Sequence, residues 1–392
     1  MKSPIGEEGD LVDKSRLASD VLKKVESREA SLDKIRGCMI GGAAGDALGF
    51  PVEFMSYESI LGNFGSLGIT EYKIDPSYGK ARISDDTQMS LFTANGLLVG
   101  QTRAALRNYA GTPSSYVYLA YLDWLKTQRS SFANAQNLCW ITQHKELWDC
   151  RAPGATCLDA LSSGEQGSTS RRINHSKGCG GVMRVAPMAL LYHDQDDDYV
   201  DMQGAEIAAL THSHSLGFMP AAFLTHVLKH IVDPANKMSL KEIILDAKQA
   251  ITRLFPERKH LGVFMDLVDR AVSLAETSSD PDEENISYIG DGWCGDEALC
   301  IAIYCSLRYQ NDFSKAIISS VNHGGDSDST GALTGNILGA WIGYSAIPDV
   351  WKTDLELADV ILEVADDLCY GCLMSQDSTY EDPLWIKKYV NV

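Results

Sequence analysis

Basic residues are scarce in this 392-residue chain: 34 Lys and Arg stand against 53 Asp and Glu, a formal net charge of −19. A surface of that sign repels phosphate polymers and anionic lipid, which argues against direct nucleic-acid or membrane binding. An anionic small molecule is not excluded, because a cation or a helix N-terminus supplies positive potential locally. Long apolar runs are missing as well. The two least polar stretches, 37–54 and 331–347, are glycine-rich and interrupted by Asp46, Glu53 or Asn336, so no membrane span is expected. Residues 1–10 lack the basic and apolar regions of a secretory signal. The ten cysteines show no repeated spacing. Cys369-Tyr370-Gly371-Cys372 has CxxC form without a second pair, and it reads as buried thiols of a reduced, cytoplasmic protein. Strand-like alternation and linker composition are both rare, so a single all-α domain is expected despite a length that suggests two.

Within that frame, residues 1–34 read as an N-terminal extension, disordered to about residue 14 and then a surface helix carrying Leu17, Val21, Leu22 and Val25. Residues 35–392 read as the helical domain. Glycines recur every fourth residue at Gly37, Gly41, Gly45 and Gly49, and again at Gly331, Gly335, Gly339 and Gly343. On a helix each set forms a row without side chains. Glycine costs a helix about 1 kcal/mol against alanine, so the rows call for compensation by close backbone approach between buried helices, or by packing against bulky residues elsewhere. Helical spacing marks 116–127, 185–191, 204–211, 218–231, 240–254, 263–275, 297–307, 313–321 and 355–368. The segment 62–82 reads as a long loop, and the acidic stretches 194–201 and 278–285 as solvated loops without a chemical role.

Two acidic clusters carry the chemistry. Ser84-Asp85-Asp86-Thr87 opens an apolar helical run, and His323-Gly324-Gly325-Asp326-Ser327-Asp328-Ser329-Thr330 opens another. One cap at a helix start would account for an Asp or Ser, but not for Asp-x-Asp-Ser-Thr at 326–330 together with a second acidic cluster upstream. Carboxylates and hydroxyls together suit a hard, oxygen-seeking ion: magnesium, manganese or calcium. Two such clusters could hold two ions through bridging carboxylates. His323 is expected to structure the loop rather than ligate. The run Gly178-Cys179-Gly180-Gly181-Val182-Met183-Arg184 could cradle phosphate with its amides, and is weak evidence alone. His212 and His214 read as helix-end caps, with nucleobase stacking the alternative for a ring. Trp293 and Asp296 could line the mouth of a site or merely cap the following helix.

Gly45 to Gly49 with Glu53, Ser84 to Thr87, Gly178 to Arg184, Thr211 to Gly217 and Gly325 to Thr330 resemble, in that order, the motifs of the ADP-ribosylglycohydrolase family. The resemblance runs from about Ile35 to about Asp366. It implies an orthogonal all-α fold and a binuclear site for two Mg2+, with Mn2+ possible in their place. Ser84, Asp85 and Asp86 would form one side of that site, and Asp326, Asp328 and Ser329 the other. Ser84 and Ser329 stand where many members have threonine. Glu53 matches a glutamate near the metals. Asn174, Ser176, Gly178, Cys179, Gly180, Gly181 and Met183 match the diphosphate loop, His212 a residue near the adenosine, and Lys177 takes a place that some members give to an aromatic. The implied reaction is hydrolysis of the bond between ADP-ribose and an acceptor, a protein side chain with arginine favoured over serine. Oriented water attacks, and Asp326, Asp86 or Glu53 accepts its proton. The expected partner is ADP-ribose or an ADP-ribosylated protein, and the expected state a monomer. Alternatives are a binuclear-metal hydrolase of another ADP-ribose derivative or nucleotide-like substrate, and an ADP-ribose binder without turnover.

Overall fold

The computed structural model describes residues 19–107, 111–132, 137–377 and 379–391; the stretch 1–14 expected to be disordered lies outside them. In chain order the helices are α1 (Ser19–Glu29), α2 (Leu32–Gly49), α3 (Tyr57–Phe64), α4 (Asp85–Arg107), α5 (Pro113–Arg129), α6 (Ala155–Ser163), α7 (Ala186–Leu191), α8 (Asp197–Ala209) and α9 (Ser215–Val232). They continue with α10 (Leu240–Leu254), α11 (Leu261–Thr277), α12 (Asp282–Ser287), α13 (Gly295–Arg308), α14 (Phe313–Val321), α15 (Ser327–Ile342), α16 (Val350–Thr353), α17 (Ala358–Tyr370) and α18 (Pro383–Tyr389). Among the described residues the sheet content is one hairpin of two-residue strands, Ile74–Asp75 paired antiparallel with Lys80–Ala81. The fold is all-α, as its periodicities anticipate, with one continuous core.

At the centre α2 and α15 lie antiparallel with their backbones in contact. A Cβ added at Gly37 would stand 2.1 Å from the carbonyl oxygen of Gly339, one at Gly41 2.3 Å from that of Gly335, and one at Gly45 1.9 Å from that of Gly331. Seen from α15, a Cβ at Gly335 would stand 1.9 Å from the carbonyl oxygen of Gly41. The two glycine rows therefore face each other, which settles the choice between backbone contact and bulky partners. Gly343 leaves the row: it terminates α15 at φ +83, and the room a side chain would need is taken by Asp33. Asn336 ties the pair laterally through its Nδ2, which donates to the Cys38 carbonyl at 2.9 Å.

Several loop and surface assignments need correcting. The surface helix expected to run on towards residue 35 breaks at Ala30–Ser31, and α1 is partly interior: Val25 is buried, and the buried Arg28 donates to Asp194 and to the carbonyls of Leu191 and Cys369. Residues 62–82 begin inside α3 and contain the hairpin. The stretch 194–201 includes the first turn of α8, and 278–285 runs into α12. Acidic residues in a first turn face the positive end of the helix dipole, which is why charge density misled there. The most apolar helix, α9, is long enough by composition to cross a membrane, but it is buried in the core, with Pro220 inside it. Cys369 and Cys372 are buried thiols, and Cys369 Sγ donates to the Arg28 carbonyl.

Contact between two backbones leaves no side chain able to yield. Gly335→Ala should lower stability by at least about 3 kcal/mol, the upper range for overpacking. Gly62→Ala, in α3 with nothing within 4 Å of the new Cβ, should be neutral or stabilising by up to about 1 kcal/mol. Urea unfolding of both variants checks the contrast; equal effects would contradict backbone contact as the constraint.

Candidate active site

The last contact of the glycine rows sets the site. A Cβ at Gly49 would meet the Ser327 carbonyl at 2.3 Å, so α2 ends against the first turn of α15, where Asp326, Ser327, Asp328 and Ser329 begin that helix. Asp46, one residue past Gly45 and fully buried, faces the same junction. Both its oxygens accept from the Ser84 amide, at 3.0 and 3.1 Å, and Oδ2 accepts from the Thr87 amide at 3.2 Å and from the Thr87 hydroxyl. Asp46 thus anchors the start of α4 to the end of α2. Ser84 contributes the ordinary cap, its Oγ accepting from the Asp86 amide at 3.2 Å. The two acidic motifs then meet directly: Ser329 Oγ donates to Asp86 Oδ2 at 2.8 Å.

Asp326 occupies the N-cap position of α15, but its carboxylate makes no cap bond. It accepts instead from the Cys179 thiol at 2.6 Å, and its capping role, expected from sequence, is not observed. Asp328 accepts from the Ser329 amide at 2.9 Å. Glu53 follows α2 through a short 3-10 turn, Phe50–Val52, and one carboxylate oxygen each of Glu53, Asp326 and Asp328 lies within 4.8 Å of the others. Glu53 Oε2 is buried without a hydrogen-bond partner.

These carboxylates line a cleft of about 300 Å³ together with Asp85, Asp86, Ser329, Cys179, Gly180, Met183, His212 and Trp293. Burial, and then Asp328, push Asp46 up to about 7; burial, and then Asp328 and Asp326, push Glu53 up to about 10. Asp85, Asp86 and Asp326 are raised well above the carboxylate range by the same two causes, burial and Asp328. Six buried carboxylates facing one another, with an unpartnered oxygen among them, fit a hard divalent cation.

The glycine loop forms one wall. Cys179 to Gly181 make a 3-10 turn, and the loop is laced to the Trp293 segment: the Cys179 amide donates to the Trp293 carbonyl at 3.1 Å and the Gly295 amide to the Lys177 carbonyl at 2.8 Å. The Gly178 amide donates to Ser176 Oγ at 3.4 Å and the Val182 and Met183 amides to the Cys179 carbonyl, so four of the loop's amides are already used within the protein. His212 packs under the loop, where a Cβ on Gly180 would stand 2.9 Å from its ring. Its pKa is lowered to about 3 by burial and by Arg184, so the ring is neutral. Arg184 donates to Thr211 Oγ1 at 2.6 Å, and that hydroxyl lies 2.8 Å from His212 Nδ1.

Three expected contact residues do not line the cleft. Asn174 braces the loop from behind, with Nδ2 donating to the Thr211 carbonyl at 2.6 Å and Oδ1 accepting from the Ser176 amide. Ser176 Oγ bonds Thr156 Oγ1, and Gly181 is a packing glycine whose Cβ would meet the Gly217 carbonyl at 2.5 Å. Ser84 also lies beneath the carboxylates rather than in the wall. The histidine pair divides: His214 caps α9 through the Leu216 amide, and only His212 reaches the cleft. His323 structures its loop by bonding Thr330 Oγ1 at 3.0 Å. Asp296 is buried, and it does not line the cleft.

The sequence reading missed Asp46, although a carboxylate amid Gly and Ala in a buried helix was a signal. It also missed Phe54, three-quarters exposed and stacked on Trp293 at 5.7 Å and 19°, and the 152–157 segment, where Ala152 has φ +54 and the Gly154 amide donates to Asp85 Oδ2. No local pattern marks either of these.

The family model described as ADP-ribosylglycohydrolase matches residues 27–378, beyond the Ile35–Asp366 span of the motifs at both ends. Mouse ADP-ribosylhydrolase ARH3 is 26% identical over 367 residues, covering 84% of this chain and 89% of the relative. The ADP-ribosyl-dinitrogen-reductase glycohydrolase of Rhodospirillum rubrum is 25% identical over 337 residues, covering 83% and 91%. A solved structure described as an ADP-ribosylglycohydrolase-related protein complex superposes with a TM-score of 0.58 at 22% identity, covering 87% of this chain and 98% of that one, and so shares the fold.

The raised carboxylates yield a test. In the cation-free protein the native state keeps protons that the unfolded chain has released, so stability falls as pH rises through 7 for Asp46 and towards 10 for Glu53. A divalent ion relieves the repulsion. Melting temperatures with chelator should fall between about pH 6 and about pH 9, and the increment from added Mg2+ should be larger at the higher pH. An increment independent of pH would count against mutual carboxylate repulsion.

Proposed function

The chain belongs to the ADP-ribosylglycohydrolase family, and on that premise we propose that the acidic cleft hydrolyses the glycosidic bond joining ADP-ribose to a protein side chain. The chain is a hydrolase of ADP-ribosyl linkages. The observation that carries the reading to this cleft is the meeting of the two acidic motifs through Ser329 and Asp86, with Glu53 beside them.

Asp85, Asp86, Asp326, Asp328 and Ser329, with Ser84 beneath them, would hold two Mg2+ or Mn2+. Bound there, the ions supply positive charge for the ribose hydroxyls and lower the pKa of water. The remaining work falls to the protein. Glu53, Asp86 and Asp326 are acceptors for the attacking water's proton, and Glu53 has a free oxygen for it. Carboxylates facing the ribose also stabilise the oxocarbenium character that develops as the bond breaks. His212 and the glycine loop serve the nucleotide end, while the stacked Phe54 and Trp293 form an apolar lip where the acceptor would leave. A cytoplasmic setting belongs to the same proposal, in keeping with ten free thiols.

Asp85→Ala and Asp326→Ala should each reduce release of free ADP-ribose by about 100-fold or more; unchanged metal-dependent turnover in either would sink the assignment. Offered ADP-ribosyl-arginine and ADP-ribosyl-serine proteins side by side, the enzyme should release ADP-ribose faster from arginine. Preference for serine would refute that part of the reading while leaving the cleft assignment in place.

A further inference from the structure

Arg184 is fully buried, and the groups around its guanidinium leave the charge without an ion pair. Nη1 lies 3.4 Å from Met89 Sδ and 3.2 Å from Cys157 Sγ, and Nη2 donates to Thr211 Oγ1 at 2.6 Å. Nε has no partner, and the guanidinium carbon lies 4.5 Å from the centroid of the Tyr121 ring. None of these neighbours is a carboxylate. A guanidinium keeps its proton in a protein interior, and an unpaired interior charge is costly. The ring face offsets part of that cost. Asp85 favours the charge from farther off, but that carboxylate faces the acidic cluster in the cleft.

Arg184 stands one side chain behind the cleft wall. Cys157, in the first turn of α6, and His212, reached through Thr211, both line the cleft. They close on the same point of the glycine loop, since a Cβ at Gly180 would stand 3.2 Å from Cys157 Sγ and 2.9 Å from the His212 ring. The 3.2 Å contact with Cys157 and one further contact of about 3.5–4.0 Å put a group on the cleft side roughly 7 Å from the charge. Among the described residues that line the cleft there is no Lys or Arg, and four amides of the glycine loop are used within the protein. The start of α6, with Ala155 to Cys157 in the wall, adds the positive end of a helix dipole. Arg184 adds a full charge. At an effective dielectric of about 20, a unit charge at that range changes the affinity for an anion by about 10- to 100-fold.

We infer that Arg184 is a positioning residue for the diphosphate of ADP-ribose: without touching the ligand, it supplies through the Cys157–Gly180–His212 wall the charge that seats the phosphates. This rests on the ADP-ribose reading of the cleft. Full-length protein with Mg2+ present is titrated with ADP-ribose and with adenosine, which has the nucleoside but no phosphate. Arg184→Met should weaken ADP-ribose binding by about 10- to 100-fold and leave adenosine binding unchanged. Arg184→Lys, which keeps a cation, should bind ADP-ribose more tightly than Arg184→Met does. Should the variants fail to fold, the native complex with ADP-ribose decides: phosphorus atoms within about 10 Å of the guanidinium support the role, and phosphates beyond that range of unscreened charge overturn it. Undiminished ADP-ribose binding in folded Arg184→Met, equal weakening of both ligands, or equal affinities in the folded Lys and Met variants would overturn the role of Arg184 and leave the cleft assignment standing. Absence of ADP-ribose binding by the native protein would overturn both.

Discussion

Backbone contact between α2 and α15 is the constraint on which the rest depends. Side chains between two helices can be exchanged for others of similar volume, but a carbonyl oxygen about 2 Å from where a Cβ would stand permits only glycine. Each glycine in the rows costs its helix about 1 kcal/mol, and the burial of two long helices against each other offsets that cost. The contact also fixes register. With Gly45 against Gly331 and Gly49 against Ser327, Asp46 can only emerge beside the first turn of α15. From there it takes the Ser84 and Thr87 amides and sets the start of α4. Two motifs some 240 residues apart in sequence are thus joined by helices that cannot slide.

The same rigidity explains how so many carboxylates remain together. Repulsion among Asp46, Glu53, Asp85, Asp86, Asp326 and Asp328 would spread flexible loops apart. Here Asp85 and Asp86 are in the first turn of α4 and Asp328 is in that of α15, where the helix dipole favours negative charge. Their backbones cannot relax, so the strain is expressed as protonation or as cation binding. Preorganised charge of this kind is what a reaction passing through a cationic sugar requires.

Much of this was legible in the chain. Gly37, Gly41 and Gly45 with Gly331, Gly335 and Gly339 announced the helix pair, and Ser84–Thr87 with Asp326–Ser329 announced the acidic cleft, because both patterns are costly unless used. What stayed hidden depends on contacts between distant residues. Asp46 gains its role from Ser84 and Thr87, and Phe54 from Trp293. Asn174, Ser176 and Gly181 carry the chemistry of ligand contacts, yet they turn inward to brace the loop. Spacing identifies a loop, but not which of its faces a ligand meets. Charge density in turn misread 194–201 and 278–285, since an acidic first turn and an acidic loop have the same composition.

The central claim is that the two acidic helix starts form one cation-binding centre beside the ADP-ribose cleft. Anomalous diffraction from crystals of the full-length protein grown with Mn2+ and ADP-ribose tests it most directly. Two peaks between Asp85–Asp86 and Asp326–Asp328, with the distal ribose against them, are the predicted result. Density for ADP-ribose elsewhere, or no manganese between these helix starts, would contradict the account.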